Sequence, residues 1–386
     1  MKRSTDRLLT MHAGSLPRPD DVKALVIAKA ESQPYDNEKL ETRLRESVAE
    51  IVRQQIECGI DSINDGELSK TNFSNYAKER LGGTELRTFE PGEGPEPQQI
   101  SGRDRVAFPG YFSSGAGAGG ARPRDKQTFC VAPVTYTGHD ALQRDISNFR
   151  AALAGVTDQE PFLPSVAPGS IEHWMWNEHY ATQEEFVYAI AEAMHEEYKA
   201  VTDAGFTLQI DDPDMFDAYQ IHTDFDMATY RKYAELRIDA LNHALRDIPR
   251  ERIRLHVCWG SYHGPHRFDV PLSEVVDLFL KVKAQAYSIE ASNPRHEHEW
   301  SVWKSMKLPD GATLIPGVVG HASDFIEHPE LVAERLMRYA GIVGRENLMA
   351  GTDCGLGPRV GHPSIAWAKF QALSEGAQLA SAQLWS

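Results

Sequence analysis

Short apolar runs alternate with amphipathic stretches along the whole chain. Nine runs are typical of buried strands closed by turn residues: 8–19, 61–67, 128–137, 161–170, 207–213, 252–260, 286–291, 312–319 and 347–355. Between them, apolar residues recur at helical spacing, predicting helices within 40–56, 68–83, 139–155, 184–205, 227–245, 272–283, 330–343 and 364–381. Strands that alternate with helices in this way predict a parallel sheet with right-handed crossovers.

One segment, residues 82–126, interrupts this alternation. It is rich in Gly and Pro and too long for an ordinary connection. Its GAGAGG matches the spacing of a dinucleotide fingerprint, but no strand precedes it and no helix follows, so we interpret it as a loop. The run at 128–137 directly follows, and we predict that it forms an accessory hairpin with part of 98–108.

The remaining eight strands predict an α/β fold, a closed (β/α)8 TIM barrel with a long insertion. We expect residues 1–386 to form a single domain, with 82–137 outside the barrel and, within it, 82–126 as a mobile cover or a subunit contact. A doubly wound open sheet is the alternative, but its site would gather at one switch point rather than around a ring.

Four residues at predicted strand ends carry the most specific chemistry: His256, Cys258, Glu290 and Cys354. Residues two apart in a strand point to the same face, so His256 and Cys258 point the same way. Two thiols, an imidazole and a carboxylate are a ligand set that suits tetrahedral Zn²⁺. Histidines in nearby loops are alternative ligands, namely His263, His266, His296 and His298.

The overall composition narrows the choice of partners. A 41% hydrophobic and 25% charged chain is typical of a soluble globular protein. The net charge of -16 argues against nucleic acid, because a binder must neutralise phosphate. No run is long enough to span a membrane, and the N-terminus has no secretory pattern. Cys58 and Cys130 remain outside the metal set, and a reducing cytoplasm suits them best.

Three motifs along the last strands identify a family. HVCWG, SIEAS and GTDCG, in this order, resemble the catalytic half of cobalamin-independent methionine synthase. Further motifs are similar to that family's as well: AGSLPRP, NDGELSKTNFSNY, LQIDDP and PGVVGHAS. The likeness runs from about residue 8 to the C-terminus. HVCWGSYHGPH looks like the single-barrel branch, which includes core methionine synthases and epoxyalkane:coenzyme M transferases.

The resemblance implies roles for individual residues. His256, Cys258, Glu290 and Cys354 would be the zinc ligands. The amino-acid part of homocysteine would be held by Ser15, Glu67 and Asp211. His321 would handle a proton as a general acid, and Trp174 would flank the methyl donor. For Trp174, packing beneath the long loop is the alternative, and for His321 it is helix capping or exposure.

The implied activity is methyl or alkyl transfer to a thiol. Two cysteinates keep a metal-bound thiolate electron-rich, which favours thiol alkylation over hydrolysis. Glu67 and Asp211 would match the ammonium of homocysteine, although acids at strand ends also cap helices. A sulfonate thiol such as coenzyme M has no ammonium for them to bind. We therefore expect homocysteine as the favoured acceptor, and addition of a thiol to an epoxide as the alternative.

Several questions stay open from sequence alone. The chain lacks the second barrel that helps to hold folate in full-length synthases. The donor is therefore open between methyl-folate, a methyl-corrinoid protein and an epoxide. The oligomeric state is open too, and a homo-oligomer is compatible with the sequence. A non-catalytic barrel with a structural zinc is a further alternative, although structural sites usually take ligands from close-set pairs.

Overall fold

The structure is a computed structural model that describes residues 1–72, 75–88, 101–114, 126–357 and 359–386. The α-helices are α1 Asp20–Ala30, α2 Asn37–Glu57, α3 Asn75–Glu79, α4 Gly102–Ala107, α5 Pro109–Ser113, α6 His139–Ala152, α7 Pro168–Glu172, α8 Gln183–Asp203, α9 Asp214–Ile221, α10 Met227–Ala244, α11 Val276–Phe279, α12 Pro329–Val343 and α13 Pro363–Leu384. Short 3-10 helices cover Arg250–Arg252, Leu272–Glu274, Glu297–Lys304 and Arg345–Asn347.

The strands form two sheets. Their bounds are β1 Ser62–Ile63, β2 Leu81–Thr88, β3 Lys126–Tyr136, β4 Glu160–Val166, β5 Met175–Asn177, β6 Thr207–Asp211, β7 Ile253–Val257, β8 Ala286–Glu290, β9 Thr313–Val319 and β10 Gly351–Thr352. The larger sheet runs in the order β1-β4-β6-β7-β8-β9-β10. Every neighbouring pair in it is parallel.

A short N-terminal segment closes this sheet into a ring. Thr10 forms a parallel bridge with Ala350 beside β10, and Met11 forms one with Ser62 in β1. The Met11 amide donates to the Ala350 carbonyl at 2.9 Å. With this segment as the eighth strand, the predicted (β/α)8 barrel is confirmed, and its strands end on one common rim.

The amphipathic stretches form the helices of the barrel's outer layer, and their capping residues and apolar stripes explain where they begin and which face they bury. Helix α2 begins where the Asp36 side chain accepts from the Lys39 amide at 3.0 Å, and it buries a stripe of leucine, valine and isoleucine. Helix α8 begins with a capping box between Thr182 and Glu185. The predicted helix at 272–283 is broken into a 3-10 turn and the short α11. No helix in the described ranges combines the length and apolar character needed to cross a bilayer.

The predicted partner of the accessory hairpin was wrong. β3 pairs antiparallel with β2, from Leu81 opposite Tyr136 to Thr88 opposite Lys126, rather than with part of 98–108. β2 runs from Leu81 to Thr88. Two adjacent glycines near its start, Gly82 and Gly83, are typical of a loop, and the segment was therefore not predicted as a strand. β5 adds a third, parallel strand to this sheet, which was not predicted.

Part of the predicted insertion lies over the carboxyl ends of the barrel strands. The Arg103 guanidinium donates to the carbonyls of Tyr219 and His222, at the end of α9. Asp104 accepts from the Tyr262 hydroxyl at 2.9 Å, in the loop that follows β7. The GAGAGG segment at 115–120 lies outside the described residues.

A buried ion network joins the accessory sheet to the barrel helices. Arg80, directly before β2, donates to Glu197 of α8 at 3.1 Å and to Asp145 of α6 at 2.5 Å. The Tyr136 hydroxyl of β3 also donates to Glu197 at 2.7 Å. Burial by itself disfavours charged carboxylates here, but the guanidinium compensates and the pKa of Glu197 stays below its ordinary value.

Removing Arg80 should therefore be strongly destabilising. Arg80→Met leaves the buried Glu197 without an ion-pair partner among the described residues and leaves Asp145 with Arg144 alone, which costs about 3–5 kcal/mol of unfolding free energy. Arg43→Met is the matched control, because its partner Asp21 is exposed and such pairs contribute about 0–1 kcal/mol. Urea unfolding of both variants measures the difference, and equal losses would contradict the network's role.

Candidate metal centre and substrate site

The first two candidate ligands lie at the end of β7. This strand is buried along its whole length, so its apolar residues fix the backbone and its last side chains project at the rim. His256 is 3% exposed, and its Nδ1 lies 3.2 Å from the Ser288 hydroxyl of β8. That contact orients the ring so that Nε2 faces the rim. Cys258 follows β7 directly and is also 3% exposed.

Cys354 approaches the same point from the other side of the barrel. Ligand atoms of His256, Cys258 and Cys354 all lie within 4.8 Å of one another. Within the part of the chain that the structure describes, His256 Nε2 is buried and has no hydrogen-bond partner. Leaving such an atom unpaired is unfavourable, so a metal ion bound to all three side chains fits the residues present.

The two thiols do not hold their protons equally. A hydrogen bond from Cys258 is the main reason why the pKa of Cys354 lies well below its ordinary value, and burial opposes this shift. The same hydrogen bond raises the pKa of Cys258. The two sulfurs are thus close enough for each to affect the ionisation of the other, as two ligands of a single metal ion would be.

Glu290 lies beside this group rather than in it. Its Oε1 accepts from the Trp259 amide at 3.4 Å and its Oε2 from Asn293 Nδ2 at 3.1 Å. Burial raises the pKa of its carboxyl to about 8, and the neighbouring Asp353 adds to the shift. The assignment of Glu290 as a fourth ligand stays a prediction.

The alternative histidine ligands have other contacts or positions. His266 and His296 both contact Asp269, at 2.6 and 3.0 Å. His263 and His298 are exposed. These environments make all four poorer candidates than His256, whose Nε2 is open.

Asp353 links two of the strand ends that carry candidate ligands. It directly precedes Cys354, and its Oδ1 accepts from the amides of Ala291 and Ser292 at 2.7 and 3.0 Å. Its Oδ2 accepts from the Ser292 hydroxyl at 2.6 Å. The link crosses β9 at Gly317, where a Cβ would lie 2.5 Å from Asp353 Oδ1. Only glycine leaves room for it.

His321 follows β9 and is 2% exposed. Neither of its ring nitrogens has a hydrogen-bond partner among the described residues. Burial lowers the pKa of the imidazole to about 4, with Cys354 opposing the shift. The ring is therefore neutral at physiological pH and open at both nitrogens. Its catalytic role stays a prediction.

The two predicted substrate acids, Glu67 and Asp211, lie on the part of the rim next to the candidate metal group. Glu67 follows β1, is 6% exposed and adopts a left-handed backbone with φ 57°, a strained conformation for a residue other than glycine. Asp211 ends β6 in register with His256. Burial raises the pKa of Asp211 to about 7; His256 lowers it and Glu67 raises it.

The remaining predicted substrate residues lie further around the rim. The Ser15 carbonyl accepts from the Gly357 amide at 3.0 Å, so the turn after the first strand contacts the loop after β10. Trp174 lies between α7 and β5, with its ring edge-on to His173 at 4.8 Å. The substrate roles of both residues stay predictions.

Sequence reasoning missed three residues of this region: Lys70, Asp353 and Arg359. Lys70 Nζ donates to Glu67 Oε2 at 3.1 Å and to the Pro164 carbonyl at 2.7 Å. Two features of the sequence could have drawn attention to Lys70 and Asp353. Lys70 lies three residues after Glu67, and Asp353 directly precedes the candidate ligand Cys354.

The Asp353 link leads to a prediction about metal affinity. Asp353→Ala frees the Ala291 and Ser292 amides and loosens both strand ends, so divalent-metal affinity should fall roughly 10–100-fold. Asp36→Ala is the control, since Asp36 also accepts from a backbone amide, that of Lys39 at 3.0 Å, but at the start of α2 in the outer layer. Chelator competition measures the affinities. Unchanged affinity in Asp353→Ala, or an equal loss in the control, would contradict the link's role.

Known proteins and a known family are similar to most of this chain. Residues 125–374, more than half of the chain, match the family described as the catalytic domain of cobalamin-independent synthase. Methionine synthase of Thermococcus kodakarensis is 23% identical over 378 residues, covering 98% of this chain and 94% of that protein. The 2-hydroxypropyl-CoM lyase of Xanthobacter autotrophicus is 24% identical over 412 residues, covering 97% and 95%.

A solved structure shares the fold. The B12-independent methionine synthase from Shewanella sp. W3-18-1, in complex with selenomethionine, superposes with a TM-score of 0.70 at 21% identity, covering 98% of this chain and 99% of that one. The predicted family is confirmed: this chain belongs to the cobalamin-independent synthase catalytic-domain family.

Proposed function

We propose that this protein is a zinc-dependent transferase that moves a methyl or other alkyl group onto a thiol sulfur, with homocysteine as the favoured acceptor. The observation that carries the proposal is the convergence of His256, Cys258 and Cys354 within 4.8 Å on the rim of a barrel of this family. Two sulfurs and one imidazole nitrogen suit zinc better than magnesium or calcium. Bound there, zinc would lower the pKa of a substrate thiol and make its sulfur nucleophilic at neutral pH.

The acids on the neighbouring rim support an amino-acid thiol as the acceptor. Lys70 holds one oxygen of Glu67, Oε2, and so orients the carboxylate. The other oxygen would accept from a substrate ammonium, as would Asp211. The strained backbone of Glu67 fits a binding role, because such strain persists where the surrounding structure fixes a residue for function.

His321 would handle the proton of the reaction. Its imidazole is neutral and its two nitrogens are open, so it can take up a proton at one nitrogen and then, as imidazolium, pass that proton to a leaving atom. Trp174 would lie against the donor. The donor itself is open between methyl-folate, a methyl-corrinoid protein and an epoxide.

One relative favours a second candidate function, addition of a thiol to an epoxide. The 2-hydroxypropyl-CoM lyase matches this chain over nearly its whole length, as the methionine synthases do. In that case the acceptor would be a sulfonate thiol without an ammonium, and Glu67 and Asp211 would have no substrate partner. A non-catalytic barrel with a structural zinc is a third reading, which predicts no response of the metal to thiols.

Metal content tests the ligand assignment. The purified protein should hold a single zinc ion, and Cys258→Ser or Cys354→Ser should each lose most of it. Glu290→Ala should lose less, because a carboxylate is the most exchangeable of the four predicted ligands. Cys58→Ser is the control, since this buried thiol contacts the Trp367 carbonyl far from the group. Full zinc retention in both ligand variants, measured by mass spectrometry, would refute the assignment.

Thiol affinity separates the two transferase functions. Glu67→Gln and Asp211→Asn should each weaken homocysteine binding while zinc stays bound, because charge-assisted hydrogen bonds contribute on the order of 1.5–3 kcal/mol. That corresponds to a roughly ten- to hundredfold change in affinity. Coenzyme M, which has no ammonium, should be nearly indifferent to both changes.

The control for this series is Asp212→Asn. Asp212 is the next residue along the chain and accepts from the Ser170 hydroxyl at 2.8 Å, so it is engaged away from the substrate acids. Homocysteine affinity should not change in this variant. If coenzyme M binds the unaltered protein more tightly than homocysteine, the epoxide function replaces the methionine-synthase-like one.

A further inference from the structure

The loop after β10 lies across the rim between two predicted parts of the substrate site. At one end the Gly357 amide donates to the Ser15 carbonyl at 3.0 Å. At the other, the Gly361 amide donates to Asp324 Oδ1 at 2.7 Å, in the loop that carries His321. A Cβ on Gly357 would lie 2.5 Å from the Leu16 carbonyl oxygen, so the contact with the Ser15 turn needs glycine there.

Arg359 lies between these two anchors along the chain. It is partly buried, and its Nε is shielded from solvent without a hydrogen-bond partner in the described part of the chain. No ion pair of Arg359 with a described residue is present either. Burial lowers the pKa of the guanidinium, and negative charge on the Cys354 and Cys258 thiols acts in the opposite direction. Arg359 belongs to the same loop as Cys354, five residues further along the chain.

Three other buried arginines of this protein are paired with carboxylates, whereas the fully buried Arg254 donates to the neutral side chains of Gln209 and Ser62. Arg80 binds Glu197 and Asp145, Arg237 binds Glu172 at 2.6 Å, and Arg335 binds Glu297 at 2.9 Å. These pairs offset the cost of removing a cation from water. Arg359 lacks that compensation, so its guanidinium is available to an anion from outside the chain.

The other cations near the predicted substrate site are engaged. Lys70 donates to Glu67 and to the Pro164 carbonyl, and it lies over the Tyr76 ring at 4.2 Å. Arg18 donates to the carbonyls of Glu67 and Lys70. The rim also carries several carboxyl groups, among them those of Glu67, Asp211 and Glu290. An anionic group of a substrate would thus find an open donor at Arg359.

We propose that Arg359 binds the oxyanion of the acceptor thiol, a carboxylate or a sulfonate, and thereby restricts acceptors to small anionic thiols. The inference rests on the proposed thiol transfer and adds a specificity-determining residue to it. A guanidinium can bind either oxyanion through two parallel hydrogen bonds. An amino-acid thiol would place its ammonium at Glu67 and Asp211 and its carboxylate at Arg359. A sulfonate thiol would use Arg359 alone.

The test compares thiols that differ only in charged groups. Affinities of the zinc-loaded protein are measured by calorimetry for four thiols: homocysteine, 3-amino-1-propanethiol, coenzyme M and 2-mercaptoethanol. Arg359→Gln should weaken the two anionic thiols roughly ten- to hundredfold and leave the two without an oxyanion unchanged. Arg359→Lys keeps the charge without the planar pair of donors, so its loss should be intermediate.

Arg267→Gln is the matched control, because it removes an exposed arginine from the loop after β7 on the same rim. It should leave all four affinities unchanged, and zinc content should be the same in every variant. A larger loss for coenzyme M than for homocysteine identifies a sulfonate acceptor, and the reverse identifies a carboxylate. Either result supports the proposal.

Other outcomes overturn it. Equal weakening of all four thiols in Arg359→Gln and Arg359→Lys would mean that Arg359 only shapes the loop. Unchanged affinity for the anionic thiols would mean that it does not bind them. If the unaltered protein binds none of the four, the proposed thiol transfer fails together with this inference, which distinguishes that result from failure of the Arg359 assignment alone.

Discussion

Closure of the barrel is the constraint on which the site depends. His256 lies in β7, Cys258 directly follows that strand, and Cys354 follows β10, with two strands between β7 and β10. In a flat sheet, three strand spacings would separate them by about 14 Å. Their ligand atoms lie within 4.8 Å because the sheet curls and the Thr10–Met11 segment closes it. The N-terminal bridge therefore determines a site to which it contributes no ligand.

The second feature is an electrostatic arrangement around that site. Thiols and carboxylates dominate the rim, and burial makes each of them harder to ionise unless a cation is near. A zinc ion would satisfy the thiols, Lys70 already satisfies part of Glu67, and Arg359 Nε has no hydrogen-bond partner among the described residues. This arrangement supports the proposed binding of a small ligand with charges of both signs.

Much of this could be predicted from the sequence, because local patterns carry it. The alternation of apolar runs and helical stretches predicted the barrel, and the spacing of His256 and Cys258 placed both on one face. The partner of β3 could not be predicted this way, since Gly82 and Gly83 hide the start of β2. Pairing depends on contacts between distant segments, which no local pattern encodes.

The same reason explains which side chains were overlooked. Asp353 matters through the amides of Ala291 and Ser292, more than 60 residues away. Arg359 is of interest because its Nε has no hydrogen-bond partner among the described residues, which only the three-dimensional structure can reveal. Residues that support or complete a site act through tertiary contacts, whereas metal-ligating residue types can be recognised directly in the sequence.

The most direct test of this account is zinc-edge X-ray absorption of the purified protein with and without homocysteine. The account predicts that the substrate adds a sulfur to the zinc shell, at a Zn–S distance of about 2.3 Å. A first shell that stays unchanged with homocysteine, and equally with coenzyme M, would contradict it and favour a structural metal.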